Sequence, residues 1–397
     1  MEDCKFYELL LDLPFLSVSS VSFDSDKLVV TCHSQLGEGI CPCCKKKTTK
    51  VNQRYHRSVS DLPISGRSVV LNLEVRQFIC LDCNRTFSER FDFVSESTNT
   101  THRQAKWVFM LCEKQPISQV AALLGMGYSQ VAHIYQLGAE SLISACDPYK
   151  SVRNLGIDEI ALRKGHGDYA CVLVDLDRGC VIDMLPFRDK ERLIAHFQAK
   201  GEAFLQQIEH ISCDMWDGYI TSSKALFPNA KIVIDRFHVA MHLNAAVDEQ
   251  RKEIRKTNKD VEVFKGIKWA LLKDPKRLTT QDEEKLSKAF EQSPVLEEIY
   301  EIKNTFKAIF DAQFEYSFAC QQIEHWLDYV ELIANKHLNK FVKTFNNYKS
   351  LICNYFGTLL SNGVTEGCNN LIKTIRRMSF GMPNFENLKL RVLAYQT

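Results

Sequence analysis

The sequence predicts a multidomain α/β protein. Its expected parts are an N-terminal knuckle domain built on paired cysteines, a helix-turn-helix, and an α/β core interrupted by an all-helical insertion. Three observations predict this. Two CxxC pairs, Cys41/Cys44 and Cys80/Cys83, lie 36 residues apart. After residue 150 come five strand-like runs, NLGIDEIAL, YACVLVDLD, GCVIDMLP, HISCDM and KIVIDRF, with helical segments only between the last three. Residues 239–350 then repeat apolar positions at three- and four-residue spacing.

A chain of 397 residues can hold two to four domains with cores of their own. The expected divisions are 1–98, 99–150, 151–238, 239–354 and 355–397. A net charge of +1 names no partner, but residues 45–106 carry twelve Lys/Arg against six Asp/Glu, and 236–277 carry eleven against six. Patches of that kind suit a polyanion, and also serve as ordinary solvated faces. The fifteen cysteines are odd in number, and several sit in apolar runs (Cys112, Cys171, Cys213, Cys353). That reads as reduced thiols of a cytoplasmic protein rather than a disulfide scaffold. The start, MEDCKFYELLLDLPFL, lacks a basic leader and a small-residue cleavage site, and no run of about 18 apolar residues occurs. Neither a signal peptide nor a membrane span is expected.

Residues 5–40 read as a short helix (Phe6 to Leu11) followed by strands at VSSVSFD and KLVVTCHS. The two CxxC pairs come next, with SVVLNLEVRQFIC alternating like a strand between them. Cys41, Cys44, Cys80 and Cys83 can close four thiolates around one structural Zn²⁺; four protein ligands leave no open position for catalysis. Cys43 is a bystander, and Cys4 and Cys32 read as core residues.

In residues 99–150, ISQVAALL and YSQVAHIYQLGAESL read as two helices joined by a GMG turn. This is the helix-turn-helix pattern, which an ordinary helical hairpin shares. As a DNA reader, the second helix would offer Tyr128, Ser129, Gln130 and His133 to a groove of double-stranded DNA.

The first three strands after residue 150 suit an antiparallel meander, with turns at Lys164–Asp168 and Asp177–Gly179. A helix over roughly 189–207 leads to the fourth strand, and one over 217–226 to the fifth. Three strands, helix, strand, helix, strand is the order of the ribonuclease H core. In that order the first and fourth strands are neighbours, so Asp158 and Asp214 can face each other. Glu366, near the start of the helix in SNGVTEGCNNLIKTIRR, can pack across them. Three carboxylates converging on Mg²⁺ (or Mn²⁺) are what two-metal phosphodiester chemistry needs. Glu159 adjoins Asp158 but points to the opposite face of a strand. Asp217 follows Asp214 but reads as part of a helix cap. Glu366 also fits a purely electrostatic role at a helix N-terminus. Asp235 and His238 end the fifth strand, as orienters of the ligands or as a structural pair. Asp175, Asp177 and Asp183 read as strand-end and turn residues.

In order, the paired-cysteine knuckle, the helix-turn-helix, GIDE, SCDMWDGY, VIDRFHV and SNGVTEGCNNLIKTIRR resemble the DDE transposases of the ISL-three group of bacterial insertion sequences, over nearly the whole chain. The resemblance implies a catalytic triad of Asp158, Asp214 and Glu366, with Asp235 and His238 matching a D-x-x-H signature. It implies binding to terminal inverted repeats, Mg²⁺-dependent hydrolysis that frees a 3′-hydroxyl, attack of that hydroxyl on target DNA, and a homodimer or larger assembly on DNA. Within it, Lys373, Arg376 and Arg377 would hold phosphates or form a solvated basic face. Trp326 would stack an unpaired base, as in some relatives, or belong to the core. A transposase-derived regulator without catalysis and a metal-dependent nuclease are the other readings; intact acids at all three positions argue against the regulator.

Overall fold

Apolar alternation builds the N-terminal sheet of the computed structural model. Helix α1 (Glu2–Leu11) leads into β1 (Leu16–Phe23) and β2 (Lys27–Ser34), and a short ribbon of β3 (Gly39–Ile40) and β4 (Lys47–Thr48) encloses Cys41–Cys44. A long hairpin follows, β5 (Val51–Ile64) and β6 (Arg67–Ile79), closed at Ser65–Gly66, both at positive φ as a tight hairpin turn requires. With β7 (Thr86–Ser88) on β6, the sheet order is β1-β2-β6-β5. Every second residue of β6 (Val69, Leu71, Leu73, Val75) is buried against Leu11, Leu28 and Val30. The structure describes residues 2–24, 26–163, 168–257, 262–380 and 384–396. They cluster into two units, 1–147 with 374–397, and 148–373.

The first unit continues with α2 (His102–Lys114), α3 (Ile117–Leu124) and α4 (Tyr128–Ser144). Thr101 caps α2 and also donates to buried Asp61, which Arg103 pairs; Arg103 donates in addition to the Leu11 carbonyl, pinning α2 to the sheet. Helix α3 stops at Gly125, whose left-handed backbone (φ 61°) is the usual helix-ending conformation. The C-terminal helix, Phe385–Gln396, packs against α4 and buries Ala394 among Val108, Cys112 and Ile134. Its Arg391 is 1% exposed and donates to the carbonyls of Cys112 and Gln115 at the end of α2. Residues 374–397 therefore group with the first unit.

The second unit holds a sheet of β8 (Asn154–Arg163), β9 (Asp168–Asp175), β10 (Cys180–Leu185), β11 (His210–Cys213) and β12 (Lys231–Ile234). Its order is β10-β9-β8-β11-β12, with the meander antiparallel and β8, β11 and β12 mutually parallel. The turn expected from Lys164 falls at 164–167, outside the described residues. The helix expected over 189–207 is two, α5 (Lys190–Gln198) and α6 (Glu202–Gln207), broken at Gly201, whose φ of 87° disfavours any side chain. Helix α7 (Asp217–Leu226) joins β11 to β12.

Helices α8 (Arg236–Thr257), α9 (Lys268–Leu272), α10 (Thr280–Gln292), α11 (Pro294–Asp311), α12 (Tyr316–Leu332) and α13 (Lys336–Thr358) form the helical part of the second unit. Trp326 is a core residue of this bundle: it is 4% exposed, packs against Phe306, and donates its indole N–H to the Ile302 carbonyl. An indole so placed offers no face to a base. Helix α14 (Gly363–Met378) closes back over the sheet. Among the described residues no helix is long and apolar enough to cross a membrane.

Candidate active site

Three parallel strands carry an acid in the same row, within β8 and directly after the ends of β11 and β12. Ile157 of β8 is in register with Cys213 of β11, and Cys213 with Ile234 of β12. The next residue on each is Asp158, Asp214 and Asp235. Neighbouring strands lie about 4.8 Å apart and residues of one row share a face, so the three acids occupy adjacent positions of the sheet, although their carboxylate oxygens do not all come within 4.8 Å of one another. GID, SCD and VID are the sequence trace of that row.

Two helices close over it. His238, in the first turn of α8, faces the central acid and one outer acid: its Nδ1 lies 3.2 Å from Asp235 Oδ2 and its Nε2 3.7 Å from Asp214 Oδ2. From α14, Asn369 Nδ2 donates to Asp158 Oδ2 at 2.9 Å. The backbone N–H of Asn362, just before α14, donates to Asp235 Oδ1, and Thr365 Oγ1 donates to Asn362 Oδ1. Asn362, Thr365 and Asn369 follow at i, i+3 and i+7, one helix face, and all are buried. The approach depends on Gly156, where a Cβ would stand 2.5 Å from Thr365 Oγ1. Sequence reading offers Asn362 or Thr365 only as a cap of the helix that carries Glu366 and does not single out Asn369, although N-G-x-x-E-G-x-N-N carries their spacing.

The electrostatics follow from this crowding. Burial, with smaller contributions from Asp214 and Asp235, pushes the Asp158 carboxyl up to about 6, against the opposing pull of the Glu159 N–H and His238. Burial works against the His238 cation, but the hydrogen bond to Asp235 and the charges of Asp214, Asp235 and Asp158 outweigh it and raise its pKa. A partly buried row of acids is costly unless a cation shares it. As a donor set it fits a hard divalent ion.

Glu366 lies one turn before Asn369 on α14, with an exposed side chain. Among the described residues Asp158, Asp214 and Glu366 do not all come within 4.8 Å of one another. The neighbouring acids have other partners. Arg188 pairs with Glu159 at 2.5 Å, and Tyr348 donates to Asp217 at 2.8 Å. Asp217 is the first helical residue of α7 rather than its cap, which is Trp216. Asp175, at the end of β9, is held by Arg178, and Asp177, in the turn after it, by Asn154; Asp183 is held by Tyr149 but lies inside β10 beside a bulge, not at a strand end as expected.

Cys41, Cys44, Cys80 and Cys83 form the other cluster, with all four Sγ atoms within 4.8 Å of one another and Cys44 and Cys80 at 3.5 Å. Zn–S bonds of about 2.3 Å in a tetrahedron set sulfurs about 3.8 Å apart, so the residues fit Zn²⁺. The two knuckles repeat one geometry. Cys41 N–H donates to the Lys46 carbonyl and Cys80 N–H to that of Arg85, while Lys45 and Asn84 take equivalent left-handed positions. Backbone N–H groups, that of Cys44 foremost, hold the Cys41 thiol down at about 7, against burial.

On α4, Tyr128, Ser129 and His133 are exposed and Gln130 half-buried, all near the helix N-terminus. On α14, Lys373 and Arg377 are exposed and Arg376 is half-buried.

An ISL3 transposase family model matches residues 155–392, and a model described as the zinc-finger of transposase IS204/IS1001/IS1096/IS1165 matches 37–83. The chain is 27% identical over 360 residues to the transposase for insertion sequence element IS1001 of Bordetella parapertussis, covering 89% of this chain and 88% of that one. It is 24% identical over 300 residues to the transposase for insertion sequence element IS1557 of Mycobacterium tuberculosis, covering 69% and 66%.

Proposed function

The chain belongs to the ISL3 transposase family, and from that premise we propose that it binds the ends of an insertion sequence and catalyses DNA cleavage and strand transfer by a DDE mechanism. The observation that carries the reading is the aspartate row under α14. The strand order around it, three antiparallel strands extended by two parallel ones, suits a ribonuclease H-like core. Asp158, Asp214 and Glu366 would hold Mg²⁺ or Mn²⁺. Bound there, the ions would activate the attacking hydroxyl and stabilise the leaving oxygen.

The chain's own residues have the remaining tasks. His238, fixed by Asp235, keeps its second nitrogen toward Asp214 and orients that carboxylate. Asp235 anchors the start of α14 through the Asn362 N–H, and so sets the rise of the helix that carries Glu366. Lys373 and Arg377 lie further along α14, where they can neutralise phosphates. Helices α3 and α4 form a helix-turn-helix whose Tyr128, Ser129, Gln130 and His133 read base edges, and the knuckle adds basic charge.

A strand-transfer assay on DNA bearing the element's ends, with Mg²⁺, tests this. The proposal expects cut ends joined to target DNA. Cutting without joining would indicate a nuclease, and end binding without cutting a regulator; either result overturns the proposal. End affinity should also fall steeply with salt, because Lys and Arg displace counterions from phosphates. Gln130→Ala or His133→Ala should relax sequence preference by roughly 1–3 kcal/mol per lost base contact. A 151–397 fragment that binds the ends as tightly as the full chain would refute the placement of recognition in residues 1–150.

A further inference from the structure

We propose that Asn369 is itself a ligand of the divalent cation, its side-chain amide oxygen sharing the ion with Asp158. The inference rests on the reading of the aspartate row as a metal site. Asn369 is 6% exposed, and one half of its amide lies 2.9 Å from Asp158 Oδ2. The other half, Oδ1, is buried without a hydrogen-bond partner. Only Asp158 therefore determines which way the amide turns. A bare carboxylate draws the NH₂ group toward itself; a carboxylate that carries a cation draws the oxygen.

The turn requires no backbone movement. The terminal torsion of asparagine is broad and roughly two-fold, and rotating it by 180° exchanges nitrogen and oxygen in place. Metal–oxygen bonds of 2.0–2.1 Å in an octahedron put adjacent oxygens about 2.9 Å apart. That is the separation already present between the amide head and Asp158 Oδ2. A neutral oxygen also suits this position. Asp214 and Asp235 already follow in the same row as Asp158, and a further carboxylate beside it would add another like charge. Asn369 follows Glu366 at i+3, so one face of α14 would supply both a charged and a neutral oxygen.

Full-length protein without DNA provides the test. Mn²⁺ titration calorimetry should show Asn369→Ala binding at least tenfold more weakly than wild type, and Asp158→Asn at least as weak as that. Asn369→Cys supplies the readout specific to a direct ligand. Relative to wild-type protein, whose knuckle also takes Cd²⁺, this variant should bind one additional Cd²⁺ with a thiolate-to-metal charge-transfer band. Asn369→Ser should lack the band, and adding Asp158→Asn to Asn369→Cys should remove it. Thermal melts establish that each variant is folded, and Asn369→Ser serves the calorimetry if Asn369→Ala is not. An Asn369→Cys spectrum equal to wild type, or Mn²⁺ affinity unchanged in the folded Asn369 variant, overturns the proposal. Mn²⁺ affinity unchanged by Asp158→Asn overturns the metal-site reading itself, and this inference with it.

Discussion

Asp158→Asn, Asp214→Asn and Glu366→Gln should each lower strand cleavage on the order of 10³-fold or more while leaving end binding intact. Each change keeps the size of the side chain and removes the charge that holds the cation. Ligands of one site fail as a unit, so double variants should be little worse than singles. Glu159→Gln and Asp217→Asn are the controls. Their carboxylates are engaged by Arg188 and Tyr348, so both variants should keep substantial activity. Loss of activity in Asp217→Asn with retention in Asp214→Asn would reverse the assignment.

The same substitution at Asp158 has a second consequence, independent of catalysis. In the fold its carboxyl titrates near 6, above its ordinary value of 3.8. A raised carboxyl destabilises the fold where it is ionised in both states, and the penalty fades as pH falls through 6 toward 4. Metal-free Asp158→Asn should therefore be more stable than wild type at pH 8, by on the order of 1–2 kcal/mol, and lose that advantage near pH 4. Thermal melts at the two pH values measure this. Equal melting of the two proteins at pH 8 would contradict the electrostatic account of the row.

Removing zinc should produce the largest loss of structure. The full chain should contain one zinc per molecule, and Cys80→Ser/Cys83→Ser should contain none. Structural zinc contributes on the order of 10 kcal/mol to small units of this kind. The knuckles have little else to hold them, since β3 and β4 are two residues each. Hydrogen exchange should show residues 37–50 and 79–89 opening on chelation, while the core of β6 around Leu71 and Leu73 stays protected. Absence of zinc from wild-type protein, or zinc unchanged in the double variant, would contradict this.

Much of this arrangement was legible because it is local. CxxC spacing depends on a single turn, and its two copies have the same backbone geometry at Lys45 and Asn84. The helices at 117–124 and 128–144 follow from apolar spacing and the GMG break. Asp158 and Asp214 could be placed side by side because element order makes β8 and β11 neighbours. Less legible features depend on contacts between distant segments. Gly156 matters through Thr365, more than 200 residues later, and Asn369 through Asp158. Arg391 looks like a surface cation in sequence, yet it is buried at the end of α2 because the C-terminal helix folds back there. Trp326 illustrates the reverse: an aromatic in a helix says nothing about which face it occupies, and here Phe306 and the Ile302 carbonyl decide it.

The central claim is that one cation site joins β8, β11 and α14. Anomalous diffraction from crystals of the full chain bound to end DNA and soaked in Mn²⁺ tests it most directly. The account predicts Mn²⁺ coordinated by Asp158, Asp214 and Glu366, with two ions about 4 Å apart when DNA phosphate is present. Manganese bound elsewhere, or bound at Asp158 and Asp214 with Glu366 turned away to solvent, would contradict it.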